Sequence, residues 1–173
     1  MASYDLSTLT VLIIDDNAYM RTILKTMLRG FGLRRIIEAG DAVAGLEELN
    51  MSSIDMVLVD FAMPQIDGIE FTTLVRKGND SANSTVAIIM VSAYSERSQI
   101  ETARNAGIDE FLCKPVCAAE LYVRIAHIIE HPRSFVRSRN GFVGPDRRRK
   151  TVANLSHEER RVKTAQTEER VIL

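Results

Sequence analysis

The sequence predicts an α/β fold, a doubly wound five-stranded parallel sheet with helices on both faces. Short apolar runs alternate with segments of helical period through the first 130 residues, and the links are short; parallel sheets built from crossover units show this pattern. The runs at 9–14 and 56–59 are apolar save for Thr10, as in strands covered on both faces. Four of the runs end beside a polar residue: Asp15, Asp60, Ser92 and Lys114. In open α/β sheets the carboxyl ends of the strands are where chemistry sits.

The first strand covers 9–14, rich in β-branched residues, and ends at Asp15-Asp16. A helix over 18–29 follows, with Ile23, Leu24, Met27 and Leu28 at helical spacing, Asn17 as N-cap and Gly30 just past its end. Residues 33–38 form an edge-like second strand with Arg34-Arg35 at its start, and Asp41 caps a helix to about residue 49. The third strand, 56–60, ends in Asp60; the third helix, 68–77, turns Ile69, Leu74 and Val75 inward. After a polar loop at 78–84, residues 85–91 make the fourth and most apolar strand, ending at Ser92-Ala93. A helix over 96–105 is closed by Gly107, and the fifth strand, 110–113, leads into Lys114-Pro115. The last helix, 118–129, puts Leu121, Ile125, Ile128 and Ile129 on one stripe and stops at Pro132.

At 173 residues the chain holds one domain with a substantial core and something more. Its 46% hydrophobic and 26% charged residues are ordinary for a soluble globular protein. No apolar run reaches the roughly 20 residues of a membrane span, and the N-terminus lacks the pattern of a signal peptide. The expectation is a cytoplasmic chain. Cys113 and Cys117 are too few for a zinc site and are read as apolar fillers. The net charge of -1 conceals an asymmetry: residues 1–130 carry 11 Lys+Arg against 18 Asp+Glu, residues 131–173 carry 11 against 5. An acidic body is joined to a basic tail.

Strand order 2-1-3-4-5, inferred from the pattern together with analogy to known doubly wound sheets, sets strands 1 and 3 side by side. Asp15, Asp16 and Asp60 then converge. Three clustered carboxylates repel, so they need raised pKa values or a cation. A hard divalent ion with oxygen ligands, Mg2+, suits such a cluster. Aspartate is also a covalent phosphate acceptor, and phosphoryl transfer asks the protein mainly to position groups and neutralise charge. Ser92 supplies a hydroxyl and Lys114 an ammonium at the neighbouring strand ends.

Asp15-Asp16, Asp60 with Met63-Pro64 and Asp67-Gly68, Ser92-Ala93 and Lys114-Pro115 stand in the order and spacing of one family. Over residues 9–130 the chain resembles the receiver domain of two-component response regulators, of the chemotaxis-type stand-alone kind, with a flavodoxin-like sheet. The resemblance implies that Asp60 accepts a phosphoryl group from a phosphohistidine on a sensor histidine kinase or phosphotransfer protein. It implies Mg2+ held by Asp15, Asp16, Asp60 and the Ala62 backbone carbonyl, with Ser92 and Lys114 on the phosphoryl oxygens. Phe111 matches the switch aromatic, the Lys114-Pro115 bond would be cis, and the face of the fourth helix, fifth strand and fifth helix would carry the signal to a protein target. Ala62 and Tyr94 occupy positions that tune phosphate lifetime; a small Ala62 and a shielding Tyr94 suggest slow self-dephosphorylation.

Plainer readings exist for each residue alone. Asp15-Asp16 could cap a helix, Lys114 could be a surface lysine, Phe111 could be core, and His127, His131 and His157 show no ligand set in the sequence. Taken jointly, the strand ends favour the phosphoryl-transfer reading. A haloacid-dehalogenase-type phosphatase would need an acid where Ala62 stands, and a flavin phosphate would be repelled by Asp15-Asp16-Asn17.

Residues 131–173 change character: 133–150 are rich in Arg, Gly and Ser with Phe135 and Phe142 at intervals. No second domain fits in that length without disulfides or metal. Ser156-His157-Glu158-Glu159 is a capping-box pattern, giving an expected short helix near 157–168. Three readings stay open for this tail. It could be a solvated, partly disordered extension. It could dock through Phe135, Phe142 and Val143 on a partner or on the acidic body. It could bind nucleic acid, which would make the chain a transcription regulator.

Overall fold

A computed structural model describes residues 4–78, 83–132, 134–137 and 143–146. The elements run β1 (Thr10–Ile14), α1 (Ala18–Gly30), β2 (Arg35–Ala39), α2 (Ala42–Met51), β3 (Met56–Asp60), α3 (Gly68–Lys77), β4 (Ala87–Ser92), α4 (Arg97–Ala106), β5 (Glu110–Cys113) and α5 (Ala118–Glu130), then β6 (Phe135–Arg137) and β7 (Val143–Pro145). The five-stranded sheet has the order β2-β1-β3-β4-β5, all parallel.

Side-chain alternation along the strands divides the core into two layers. Leu12, Ile14, Val57, Val59, Ile88 and Met90 face α2, α3 and α4, while Val11, Ile13, Met56, Leu58, Ile89 and Leu112 face α1 and α5. Both faces are covered, so β1 and β3 are buried at every position. Asn17 and Asp41 cap α1 and α2 through their side chains, and Asp67 and Glu70 form a reciprocal capping box on α3.

Four local expectations need correction. Gly30 lies inside α1; Gly32 instead takes the left-handed turn, at φ 94°, and the Leu33 N–H closes onto the Leu28 carbonyl, so β2 begins only at Arg35. On α3 Leu74 is half exposed, and the inner face is Phe71, Thr72, Val75 and Arg76. Cys117 is exposed at the N-cap of α5, so of the two cysteines only Cys113 is even partly buried. Finally, a ribbon of β6 and β7, paired antiparallel, was not foreseen in the tail.

That ribbon packs against the body, with Gly144 and Pro145 buried and Phe135 beneath the Arg76 guanidinium, 4.8 Å from its carbon to the ring centre. Arg76 is itself 1% exposed; it donates from Nε to the Gly107 carbonyl (2.9 Å), from Nη1 to the Ser84 carbonyl (2.8 Å) and from Nη2 to Asp109 Oδ2 (3.2 Å). The expected helix at 157–168, Phe142 and the basic run at 147–150 lie outside the described residues.

Candidate functional site

The carboxyl ends of β1, β3, β4 and β5 meet in one acidic pocket. Asp15 follows β1 and is 1% exposed; its Oδ1 accepts from the Asn17 N–H at 2.8 Å, and Arg21 on α1 donates to its carbonyl at 2.8 Å. Asp60 ends β3 and is 6% exposed. The chain turns immediately after it, with the Phe61 N–H on the Val91 carbonyl (2.8 Å) and the Gly68 N–H on the Phe61 carbonyl (3.0 Å). Gly68 is required there: a Cβ at that position would lie 2.4 Å from the Asp60 carbonyl oxygen. The turn thus holds the start of α3 against the backbone of the acceptor candidate.

Oxygens of Asp15, Asp16 and Asp60 all lie within 4.8 Å of one another, and Asp16 is exposed, opening the cluster to solvent. Lys114 reaches in from the end of β5, with Nζ 2.7 Å from Asp60 Oδ1 and 3.1 Å from Asp15 Oδ2. Ser92, fully buried, accepts from the Tyr94 N–H at 3.0 Å, and its carbonyl accepts from the Lys114 N–H at 2.7 Å. The Lys114-Pro115 peptide is cis, as expected.

Burial pushes the Asp60 carboxyl above its usual range; Asp15 and Asp16 add to the rise, and Lys114 opposes it. For Lys114, burial pulls the ammonium down, but Asp60 and Asp15 together outweigh it and the net shift is upward. Lys114 is therefore a fixed cation at neutral pH. Three carboxylates against one ammonium leave the ionised cluster short of positive charge, and its oxygen-only donor set fits a hard divalent ion.

Asp15, Asp16, Asp60, Ser92 and Lys114 are brought to this one edge. Ala62 lies exposed two residues beyond Asp60, in the turn. Phe111 is half buried on β5 beside Met90, packed on the layer under α2, α3 and α4. Tyr94, half exposed, meets Phe61 edge to face with ring centres 6.2 Å apart. Sequence reasoning missed Arg21 and Phe61. Arg21 was detectable, standing one helical turn beyond the N-cap that follows Asp15-Asp16; Phe61 carried no signal beyond adjacency to Asp60.

Residues 11–126 match the family model of the response regulator receiver domain. Chemotaxis protein CheY-3 of Vibrio cholerae is 33% identical over 120 residues, which span 69% of this chain and 91% of that protein. Chemotaxis protein CheY of Pseudomonas aeruginosa is 34% identical over 120 residues, 69% of this chain and 95% of its own length. Among solved structures, the receiver domain of a Pseudomonas aeruginosa sensor histidine kinase, described with a magnesium ion coordinated in its active-site cleft, aligns at a TM-score of 0.64 and 26% identity, covering 71% of this chain and 98% of that one. No described helix is long and apolar enough to cross a membrane. The chain belongs to the response regulator receiver family, and is a phospho-accepting response regulator of two-component signalling.

Proposed function

We propose that Asp60 is the phosphoacceptor, that its donor is the phosphohistidine of a sensor histidine kinase or phosphotransfer protein, and that the phosphorylated domain relays the signal by binding a protein target. The single observation supporting this most is the placement of Lys114 Nζ 2.7 Å from Asp60 Oδ1 within a cluster of three carboxylates. Asp15, Asp16, Asp60 and the Ala62 carbonyl would hold Mg2+. When bound, the ion supplies charge neutralisation at the transferring oxygens.

The chain's own residues divide the remaining work. An Asp60 carboxylate oxygen attacks phosphorus while the bond to the donor nitrogen breaks. Lys114 exchanges its ion pair with the carboxylate for one with the phosphoryl oxygens. Ser92 Oγ, which now accepts from the Tyr94 N–H, would donate its own proton to a phosphoryl oxygen. That shift vacates space beside the half-buried Phe111, which would turn inward and alter the α4, β5 and α5 face. The chemistry is confined to transfer onto Asp60 and later hydrolysis there; the protein has no other substrate in this reading.

Residues 1–130 would constitute the receiver domain and 131–173 a basic extension. The nucleic-acid alternative rests on the basic run at 147–150, outside the described residues, and no observation favours it.

The test is intact-mass analysis after incubation with phosphoramidate, a small donor with the phosphorus–nitrogen bond of phosphohistidine, and Mg2+. A gain of one phosphoryl group, abolished by EDTA and by Asp60→Asn, is the expected result. An unchanged gain in Asp60→Asn would overturn the assignment.

A further inference from the structure

The opposite end of the sheet carries a second cluster of ionisable groups. A cleft of about 190 Å³ opens where the strands begin, lined by Asp55, Asp109 and Glu110 at the starts of β3 and β5 and by His127 in the last turn of α5 and His131 at its C-cap. The sequence offered no partners for these histidines; the fold brings His127 beside Glu110 and His131. His127 Nδ1 lies 2.8 Å from Glu110 Oε1, and the two histidine rings have centres 4.9 Å apart at an interplanar angle of 67°.

We infer that His127 and His131 chelate a borderline transition-metal ion, of the Zn2+, Ni2+ or Cu2+ class, with Glu110 orienting His127. Three features support it. His127 Nδ1 stands beside Glu110 Oε1, and in the tautomer that donates from Nδ1 to this carboxylate the Nε2 atom carries the lone pair a metal needs. Metal-bound histidines are commonly held by a carboxylate in this way. Imidazoles bound at about 2.0 to 2.1 Å on a tetrahedral ion have ring centres roughly 5 Å apart, and the two rings already stand 4.9 Å apart, edge to face. His131, the C-cap residue, follows His127 by four residues and its ring meets the His127 ring, and the carboxyl terminus of a helix favours a cation. His131 is exposed, so its ring is free to turn its nitrogen to the same point.

Glu110 is not itself a ligand in this arrangement. It is largely buried and shared with Arg124, whose Nη1 lies 3.2 Å from Oε2. The only group of three ligating carboxylates, imidazoles or thiols drawn together among the described residues is the acidic pocket. The histidine site therefore has two protein ligands, with water completing the sphere. Imidazole ligands select these ions over Mg2+, which prefers the all-oxygen pocket. Through Glu110, an ion here would tie the last turn of α5 to β5, the strand that carries Phe111 and leads into Lys114.

The test is calorimetric titration of the full chain with Ni2+ in a large excess of Mg2+, which saturates the acidic pocket. One ion per chain is expected, with affinity falling at least tenfold in His131→Ala and retained in Asp16→Asn, Cys117→Ser and His157→Ala. Lowering the pH from about 7.5 to 5.5 should weaken binding, because imidazole must be neutral to ligate; Asp55, Asp109, Glu110 and Arg124 are the other charged groups around the cleft. Histidine ring NMR signals should show His127 Nε2, not Nδ1, shifted by diamagnetic Zn2+. Binding unaffected by His131→Ala, lost in His157→Ala or Cys117→Ser, or absent altogether would overturn the proposal. Because His131 is exposed, its replacement leaves the fold intact, and a circular dichroism spectrum checks that.

Discussion

Arg76 offers the sharpest test of how the fold is held. Its guanidinium is 1% exposed and joins α3 to the Gly107 carbonyl, the Ser84 carbonyl and Asp109, with Phe135 of the ribbon across its face. Burial lowers its pKa to about 10, the pull of Asp109 notwithstanding. Desolvation therefore outweighs the attraction of the pair itself. Replacing Arg76 with Met keeps most of the apolar stem but takes a donor from the Gly107 and Ser84 carbonyls and the nearby positive charge from a nearly buried carboxylate. Removing one partner of a buried pair costs about 3–5 kcal/mol. Asp109 keeps the Ile88 N–H at 2.9 Å, which places the cost toward the lower end, about 3 kcal/mol. With a urea slope of roughly 1.5 kcal/mol per molar, the unfolding midpoint should fall by about 2 M. Equilibrium urea unfolding followed by circular dichroism reads it directly. Adding Asp109→Asn to Arg76→Met should recover about 1 kcal/mol, since the buried charge that lost the guanidinium is then gone. A single-mutant loss under about 1 kcal/mol, or no recovery in the double mutant, would refute the argument that loss of the guanidinium's charge and hydrogen bonds sets the cost.

Asp60→Asn should raise stability by about 1 kcal/mol at pH 7, as neutralising a strained functional carboxylate commonly does. The Asp60 carboxyl sits above its usual pKa in the fold, so its ionised form opposes folding at neutral pH. That penalty is relieved as pH falls through the folded-state pKa, and the gap in Tm between wild type and Asp60→Asn should narrow from pH 7 toward 4. Mg2+ should raise the Tm of the wild type more than that of the variant, by mass action. Tyr94→Ala removes an edge-to-face contact with Phe61, worth about 1 kcal/mol. If Tyr94 shields the phosphoryl group, its lifetime should shorten by roughly threefold to tenfold, read by loss of the mass increment with time. Gly68→Ala forces a Cβ toward the Asp60 carbonyl oxygen, 2.4 Å away, and should cost about 1–3 kcal/mol while slowing phosphorylation more than it lowers Mg2+ affinity.

Much of this was readable in advance, and the misses have definite causes. β3, α3 and β5 begin and end where the sequence sets them, because each is bounded by a charged or turn residue with a distinct job: Asp60, Asp67, Lys114. The acidic pocket was legible because its members sit at strand ends, where the fold class alone brings them together. Leu74 was misjudged because apolar spacing on a ten-residue helix admits two adjacent stripes; Phe71 and Val75 define the true one. The sequence reading did not single out Arg76; only its fixed fork of donors, met by two carbonyls and Asp109, makes its burial tolerable. The ribbon's strands, three residues each with Gly144 and Pro145 among them, carry too little pattern to register; packing on the body holds them, not propensity. The pairing of His127 with Glu110 joins residues 17 apart on different elements, beyond the reach of local periodicity.

The central claim is that Asp60 is the nucleophile. Phosphorylating the full chain with phosphoramidate and Mg2+, reducing the acyl phosphate with borohydride and mapping the resulting homoserine by peptide sequencing tests it most directly. Homoserine at position 60, and nowhere in the Asp15–Asp16 peptide, is the expected outcome. Homoserine at Asp15 or Asp16, or a phosphoryl group on a histidine that borohydride leaves untouched, would contradict it.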